Sequence, residues 1–559
     1  MVRVSSLLRL LLALVLVFGL SIRLAIAWQP WERLISTGTF GDDACYYASI
    51  SYNIATGKGP TTDGIHMTNG FQPLWAFLLV PIYALGASKE TAINIAMTLL
   101  ALISTLNGLL LFLLATRVWN ERVGLLATFF WTTSPTVLRQ SMNGMETGLY
   151  VFMLTLAVLL VVSSTQKHEA LCEGRSGKLC GETLLGFVLG LVILSRVDGL
   201  PFVLSAVVAH TLNANEARVR MRNASQALVF RVASGAFTLA VVLLTLLPWL
   251  IYSVITTGKV MPESGRAIRC LSMAYIGALE EGASWRAISY SLSQALSTLL
   301  RVRQWRYLSS KLAELVGAIS AHALLASLLA VCTLLIAFLC RLGYFERLVP
   351  MLKEMRKLWF WLFHIVSLFL AYSLYQFGWW FFPRYFFPVI PIGILVGALF
   401  VEALYRCLLE RFGVRRCVAQ TAVGIVVISQ LIQLCIGCAY LRSESFGGFE
   451  EYLNVALWLK EHTPKDARIG MFQSGTSSYL SERTVINLDG VVNGEALSAM
   501  LGKRMLSYIA SEGISYIADW DELIELLLLK RSRKEELSKW VLVRVRRGEM
   551  SVYKLVRVK

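Results

Sequence analysis

The sequence predicts a polytopic α-helical membrane protein that ends in a small α/β domain, and three observations predict it. The 559-residue chain is 56% hydrophobic and only 16% charged, with a mean hydropathy of +0.61, whereas soluble domains carry about 25% charged residues. Apolar runs long enough to cross a bilayer recur over the first 441 positions. From Leu441 onward they give way to short helix and strand patterns. Two domains are therefore expected, 1–441 in the membrane and 442–559 outside it.

A span needs roughly 20 apolar residues. Eleven are expected, at about 5–27, 91–116, 123–138, 147–165, 183–197, 199–212, 231–256, 312–340, 358–376, 388–405 and 418–441. The first runs from Ser5 to Trp28. It is too long for a signal-peptide core and lacks a small-residue cleavage site, so it reads as uncleaved. With Arg3 and Arg9 on the cytoplasmic side, alternate connections should hold the basic residues. They do: Arg117 and Arg122; Lys167, Arg175 and Lys178; Arg218, Arg220 and Arg222; Arg341 to Lys357; Arg406 to Arg416. The net charge of +17 is thus a matter of membrane sidedness, and no nucleic-acid partner is expected. Phe71–Leu85, about fifteen residues opening on Gly70-Phe71-Gln72-Pro73, fits an interfacial or dipping helix in the first outside loop. The short runs 183–197 and 199–212, joined by Arg196-Val197-Asp198-Gly199, fit a broken helical hairpin. An odd number of spans leaves the C-terminal domain extracytoplasmic in a multi-pass plasma (cytoplasmic) membrane protein.

In the tail, a helix through Tyr452, Val455, Ala456 and Leu459 precedes strand candidates at Arg468–Phe472, Thr484–Leu488, Ile514–Ala518, Val541–Val545 and Val552–Val556. The ten cysteines are scattered, and none lies beyond Leu441, so the tail must hold without disulfides. Cys435 and Cys438 have CxxC spacing but sit inside an apolar run, where packing is their role.

The densest polar motif is the first outside loop, which holds Gly41-Asp42-Asp43 and then Thr68-Asn69-Gly70-Phe71-Gln72-Pro73-Leu74-Trp75. Adjacent carboxylates at a membrane face repel, and desolvation raises their proton affinity. Such a group suits a general base for an acceptor hydroxyl or a ligand for a divalent cation, and Asp is also favoured at the start of a helix such as one beginning at Ala44.

This pattern resembles the first-loop signature of the GT-C glycosyltransferases, a group that includes oligosaccharyltransferase catalytic subunits, protein O-mannosyltransferases and lipid A aminoarabinose transferases. It is also similar to prokaryotic membrane proteins of that fold that use dolichyl- or polyprenyl-phosphate sugars. The resemblance implies an inverting membrane transferase. A sugar would pass from a polyprenyl-phosphate-linked donor to a glycan, lipid or protein acceptor at the outer face, with a first-loop Asp as catalytic base. Counting from Gly57 favours Asp43, and aligning on the acidic pair favours Asp42. In the oligosaccharyltransferase branch the loop after the third span holds a two-carboxylate metal motif. Here only Glu146 of Arg139–Glu146 matches it, a departure that weakens the case for a metal; Asp43 and Glu146 are the ligands if Mg or Mn is bound. Glu146 also suits the N-terminus of the next helix.

Arg196 and Asp198, an ionisable pair between apolar runs, are either functional or a salt bridge that sets the hairpin. Arg384 stands among seven aromatics that include Tyr385, and its planar fork suits a lipid phosphate, the role the resemblance implies. The outside loop 257–311 has an excess of Lys and Arg that includes Arg266. Anionic headgroups or a phosphate-linked donor would explain it, as would a solvated amphipathic helix on the bilayer. His66, Asn69 and Gln72 are supporting or metal-binding candidates in the first loop. Asp489 and Asn493 in the tail suit either acceptor contacts or turn chemistry. The sequon Asn223-Ala224-Ser225 falls on the cytoplasmic side. No Walker loop, HExxH pair or GxSxG elbow is present. A lipid-linked saccharide transporter and a non-catalytic scaffold are the rival readings. The first would favour internal repeats and charges at the bilayer midplane, which the sequence does not show.

Overall fold

A computed structural model describes residues 6–164, 175–213, 224–276, 285–299, 344–376, 382–411, 416–443 and 449–558. Six described helices are long and apolar enough to cross a membrane: Ser6–Ala27, Lys89–Val118, Thr147–Ser164, Leu228–Thr257, Tyr344–Leu374 and Pro383–Glu410. Shorter apolar helices follow the expected positions at Pro73–Ala84, Leu179–Ser195, Val197–Leu212 and Gln420–Cys435. The span expected at 312–340 lies outside the described residues.

The first helices in chain order are α1 (Ser6–Ala27), α2 (Trp31–Ser36), α3 (Asp42–Ala55), α4 (Pro73–Ala84), α5 (Lys89–Val118), α6 (Glu121–Thr133), α7 (Pro135–Ser141), α8 (Thr147–Ser164), α9 (Arg175–Ser195) and α10 (Leu200–Asn213). The run 123–138, read from hydropathy as one span, is broken between α6 and α7. Pro135 forces an extended Ser134, whose hydroxyl then caps the new helix by accepting the Val137 N–H. Within α1 a buried Arg23 donates to the Ser104 hydroxyl at 3.0 Å and to the carbonyls of Gly19, Thr132 and Trp131. An arginine among apolar helices must be met in this way, and it ties α1 to α5 and α6. The expected hairpin is present: α9 ends at Ser195, Arg196 is extended, and one tight turn leads into α10.

The C-terminal domain holds a five-stranded sheet in the order β2-β1-β3-β5-β4, formed by β1 (Arg468–Met471), β2 (Thr484–Asn487), β3 (Tyr516–Trp520), β4 (Trp540–Arg546) and β5 (Met550–Arg557). β1 pairs in parallel with β2 and β3, and β5 is antiparallel to β3 and β4. The helix Phe449–His462 covers one face through Val455 and Leu459. The other face packs on helices Gly494–Leu501 and Met505–Ser511. Ala267, Leu271 and Ala274 of the helix Glu263–Tyr275 join the same core. The apolar side of that helix, which carries Arg266 and Arg269, is therefore covered by the tail; Arg301, Arg303, Arg306 and Lys311 of the same loop lie outside the described residues.

Contact between the two parts is close enough to exclude side chains. A Cβ at Gly475 would lie 2.1 Å from the Asp42 carbonyl oxygen, and one at Gly70 would lie 2.0 Å from that of Val491. The first-loop motif thus seats directly on two tail motifs, Gln473-Ser474-Gly475 and Asp489–Asn493. Gly475→Ala should force this seam apart at a cost of about 1–3 kcal/mol. The expected outcome is a lower melting temperature of the purified chain and faster proteolytic release of the tail.

Candidate functional site

A cavity of about 1560 Å³ lies where α3, the 139–146 segment, the α9–α10 turn, the 259–275 segment and the tail meet. It exceeds the roughly 300–1,000 Å³ of a drug-sized pocket, which leaves room for two substrates. Asp42, Asp43, Gln72, Glu146, Arg196, Asp198, Arg266, Arg384 and Tyr385 all line it, so nine of the residues singled out from sequence converge.

The acidic pair divides. Asp42 is buried and Asp43 half-buried at the start of α3. Asp42 turns toward the tail, where its two oxygens accept the N–H groups of Thr476 at 2.6 Å and Gly475 at 3.2 Å. Burial nevertheless raises its carboxyl to about 6. Asp43 faces the cavity and meets Arg384 Nη1 at 2.6 Å, across 341 positions of sequence.

Glu146, just before α8, accepts from Arg196 Nη1 at 2.6 Å, and Arg196 Nη2 donates to Asp198 at 2.8 Å. The Tyr372 hydroxyl accepts from Arg196 at 3.0 Å and donates to Asp198. Tyr385 stacks on Tyr372 with centroids 4.1 Å apart, and its ring lies beneath both guanidiniums, 5.1 Å from Arg196 and 5.4 Å from Arg384. One aromatic ring thus meets both cations. Arg266 is exposed to the same hollow from the helix Glu263–Tyr275.

Asp43 and Glu146, the pair suited to Mg or Mn, are each met by a guanidinium. Both carboxylates line the cavity, so they stand where a divalent cation would have to compete with arginine for them. Two other candidates sit elsewhere. The Asn69 carboxamide accepts the Glu263 N–H at 3.0 Å and donates to the carbonyls of Met261 and Lys259, so it joins loop to loop behind the cavity. His66 lies in a separate cleft beside Asp63, whose carboxylate raises the imidazole above its usual value.

Asp489 lines the cavity from the tail, while Asn493 caps the next helix. Sequence reasoning missed three groups. Tyr372 lies within an apolar run that gave it no distinguishing signal. Tyr46 accepts the Ser474 N–H and a donor from Asn487. Asp519 accepts the N–H groups of Phe472 and Gln473 at 2.7 and 2.9 Å.

Comparison with known proteins agrees with this architecture. A family model described as a domain of unknown function, DUF8728, matches residues 441–553. No curated protein sequence is similar enough to register as a relative. Among solved structures, the archaeal oligosaccharyltransferase AglB from Archaeoglobus fulgidus, in complex with an inhibitory peptide and a dolichol-phosphate, is similar with a TM-score of 0.56. The identity is 14%, over 96% of this chain and 72% of that one. The Archaeoglobus fulgidus oligosaccharyltransferase in complex with Zn and sulfate gives 0.54 at 14% identity, over 92% and 68%. ArnT from Cupriavidus metallidurans bound to undecaprenyl phosphate gives 0.53 at 13%, over 96% and 97%. The chain is a membrane protein with the GT-C fold.

Three buried carboxylates meet at the seam. Desolvation raises Asp42 to about 6, Asp519 to about 7 and Asp489 to about 8. The native chain therefore keeps protons that the unfolded chain releases near pH 4, so their contribution to stability is full below that pH and is lost as pH rises through the folded values. The melting temperature should fall as pH rises from about 5 to about 9, and Asp489→Asn should flatten the alkaline end of that slope.

Proposed function

We propose that this chain transfers a sugar from a polyprenyl-phosphate-linked donor to a hydroxyl of a glycan, lipid or protein acceptor at the outer face of the plasma membrane. The N-terminus is cytoplasmic and the C-terminal domain extracytoplasmic in this reading. The observation that carries it is the meeting of Asp43 and Arg384, with Glu146 and Arg196 beside them, in one cavity between the helices and the tail. The fold supports it as well, because solved proteins of that fold hold dolichol-phosphate and undecaprenyl phosphate.

The geometry favours distinct roles for the two aspartates. Asp42 spends both oxygens on the tail, which leaves Asp43 as the base. Arg196 is shared by two carboxylates and a tyrosine, whereas the Arg384 guanidinium pairs with the carboxylate of Asp43, so Arg384 is the better phosphate ligand and Arg196 sets the position of Glu146. The donor phosphate takes the guanidinium fork from Asp43. The freed carboxylate accepts the acceptor's hydroxyl proton while that oxygen attacks the anomeric carbon. The bond from that carbon to the phosphate oxygen breaks, and the phosphate leaves as a stable anion held by arginine. Attack opposite the leaving group inverts the anomeric centre. Arg266 would extend the positive surface toward the rest of the donor.

Incubation of the purified protein with radiolabelled polyprenyl-phosphate sugars and a panel of acceptors should yield a new glycosidic bond. Asp43→Asn should lower the rate about 10²- to 10⁴-fold without lowering the melting temperature, whereas Asp42→Asn should lower the melting temperature. Arg384→Lys keeps the charge but not the fork, and should cost about 10- to 100-fold in kcat/KM for the donor. Full transfer by Asp43→Asn would refute the assignment of the base.

A further inference from the structure

Away from the cavity, the first loop meets the tail a second time. Between α3 and α4 the chain turns at Asp63, whose Oδ1 accepts the N–H groups of Ile65 and His66, both at 2.8 Å. Its Oδ2 lies 2.7 Å from His66 Nδ1. That bond sets the proton on Nδ1 and leaves the Nε2 lone pair directed away from the loop. Nε2 stands 3.5 Å from Oε2 of Glu512, the residue that follows the helix Met505–Ser511. Glu495, in the first turn of Gly494–Leu501, brings a third ligand atom, and all three lie within 4.8 Å of one another. His66 and Glu495 border a cleft of about 800 Å³, Glu512 stands beside His66, and none of the three lines the larger cavity.

The spacing is long for a hydrogen bond between imidazole and carboxylate. It suits neighbouring ligands of a tetrahedral ion, which bonds of about 2.0–2.1 Å hold about 3.3 Å apart. A carboxylate on the far nitrogen of the imidazole is the usual support for a metal-bound histidine. One neutral imidazole and two carboxylates also balance a dication. We propose that His66, Glu495 and Glu512 bind a divalent transition-metal ion, with zinc the best match and water completing the shell, while Asp63 orients His66. Each ligand comes from a different segment, so the ion staples the loop that carries Asn69, Gly70 and Gln72 onto the C-terminal domain. The site is independent of the transferase reading.

The test uses full-length, tag-free protein in detergent, stripped with a chelator and returned to zinc, with metal content and thermal unfolding as readouts. About one zinc per chain and a rise in melting temperature on zinc addition are expected. His66→Gln should abolish both. Glu495→Gln, an exposed change that the fold tolerates, should weaken zinc binding, and Asp63→Asn should weaken it about 10- to 100-fold. Absence of bound zinc in the parent protein, an unfolding curve the same with zinc as with chelator, or undiminished zinc binding by His66→Gln would each overturn the proposal and leave a simple imidazolium ion pair.

Discussion

Everything at the site depends on how five residues of one turn, Phe472 to Thr476, dispose of their backbone N–H groups. A buried N–H must find an acceptor, and the acceptors here come from three places. Asp519 at the end of β3 takes Phe472 and Gln473, the Tyr46 hydroxyl takes Ser474, and Asp42 takes Gly475 and Thr476. The turn is therefore held by its own sheet on one side and by the first residues of α3 on the other. A helix start favours carboxylates, so α3 can supply one to the tail without losing stability of its own. The tail is in this sense a fixed wall of the cavity, and Asp489 and Val491 are carried to its lining by the same seam.

Once Asp42 is committed, the helix geometry decides what Asp43 can do. Neighbouring positions on a helix project about 100° apart, so if one carboxylate faces the tail the next cannot, and it is turned toward Arg384. The acidic pair is thus one device with two ends. The aromatic platform makes the other half. Tyr385 supports both guanidiniums from below, and Tyr372 holds Tyr385 by stacking while bonding the Arg196 and Asp198 pair. Like charges packed this near each other need carboxylates between them, and Asp43, Glu146 and Asp198 meet that need.

Much of this was legible in the sequence. All five strands fall within two residues of the expected positions, because each is a short apolar run set off by polar and turn residues, and β1, β2 and β3 are buried on successive residues in a sheet covered on both faces. The short helix at Pro73–Ala84 and the hairpin broken at Arg196 were legible because length and charge at membrane depth leave few alternatives. What escaped was set by partners distant in sequence. Hydropathy counted 123–138 as one span, yet a single Ser-Pro step divides it. The helix Glu263–Tyr275 reads as amphipathic, and only the tertiary structure tells whether lipid or protein covers its apolar side. Asp42 and Asp43 are adjacent and chemically identical, so no pattern could assign them to different neighbours 434 and 341 positions away. Likewise His66 reads as a lone loop histidine until Glu495 and Glu512 arrive beside it.

The Asp43 and Arg384 pair also bears on why a base could be kept so near a cation. A largely buried arginine needs a counter-charge, so the half-buried Asp43 carboxylate stays with the Arg384 guanidinium until another anion replaces it. A phosphate removes that obstacle, since it offers the guanidinium an equal or greater negative charge in the same fork geometry. In the proposed reaction the carboxylate becomes free for an acceptor proton only while a donor is bound, and water entering an empty cavity meets a carboxylate already paired with arginine. The ion pair seen across the cavity is then the resting state of the base, and donor binding, by taking the guanidinium, is what readies the carboxylate for the acceptor.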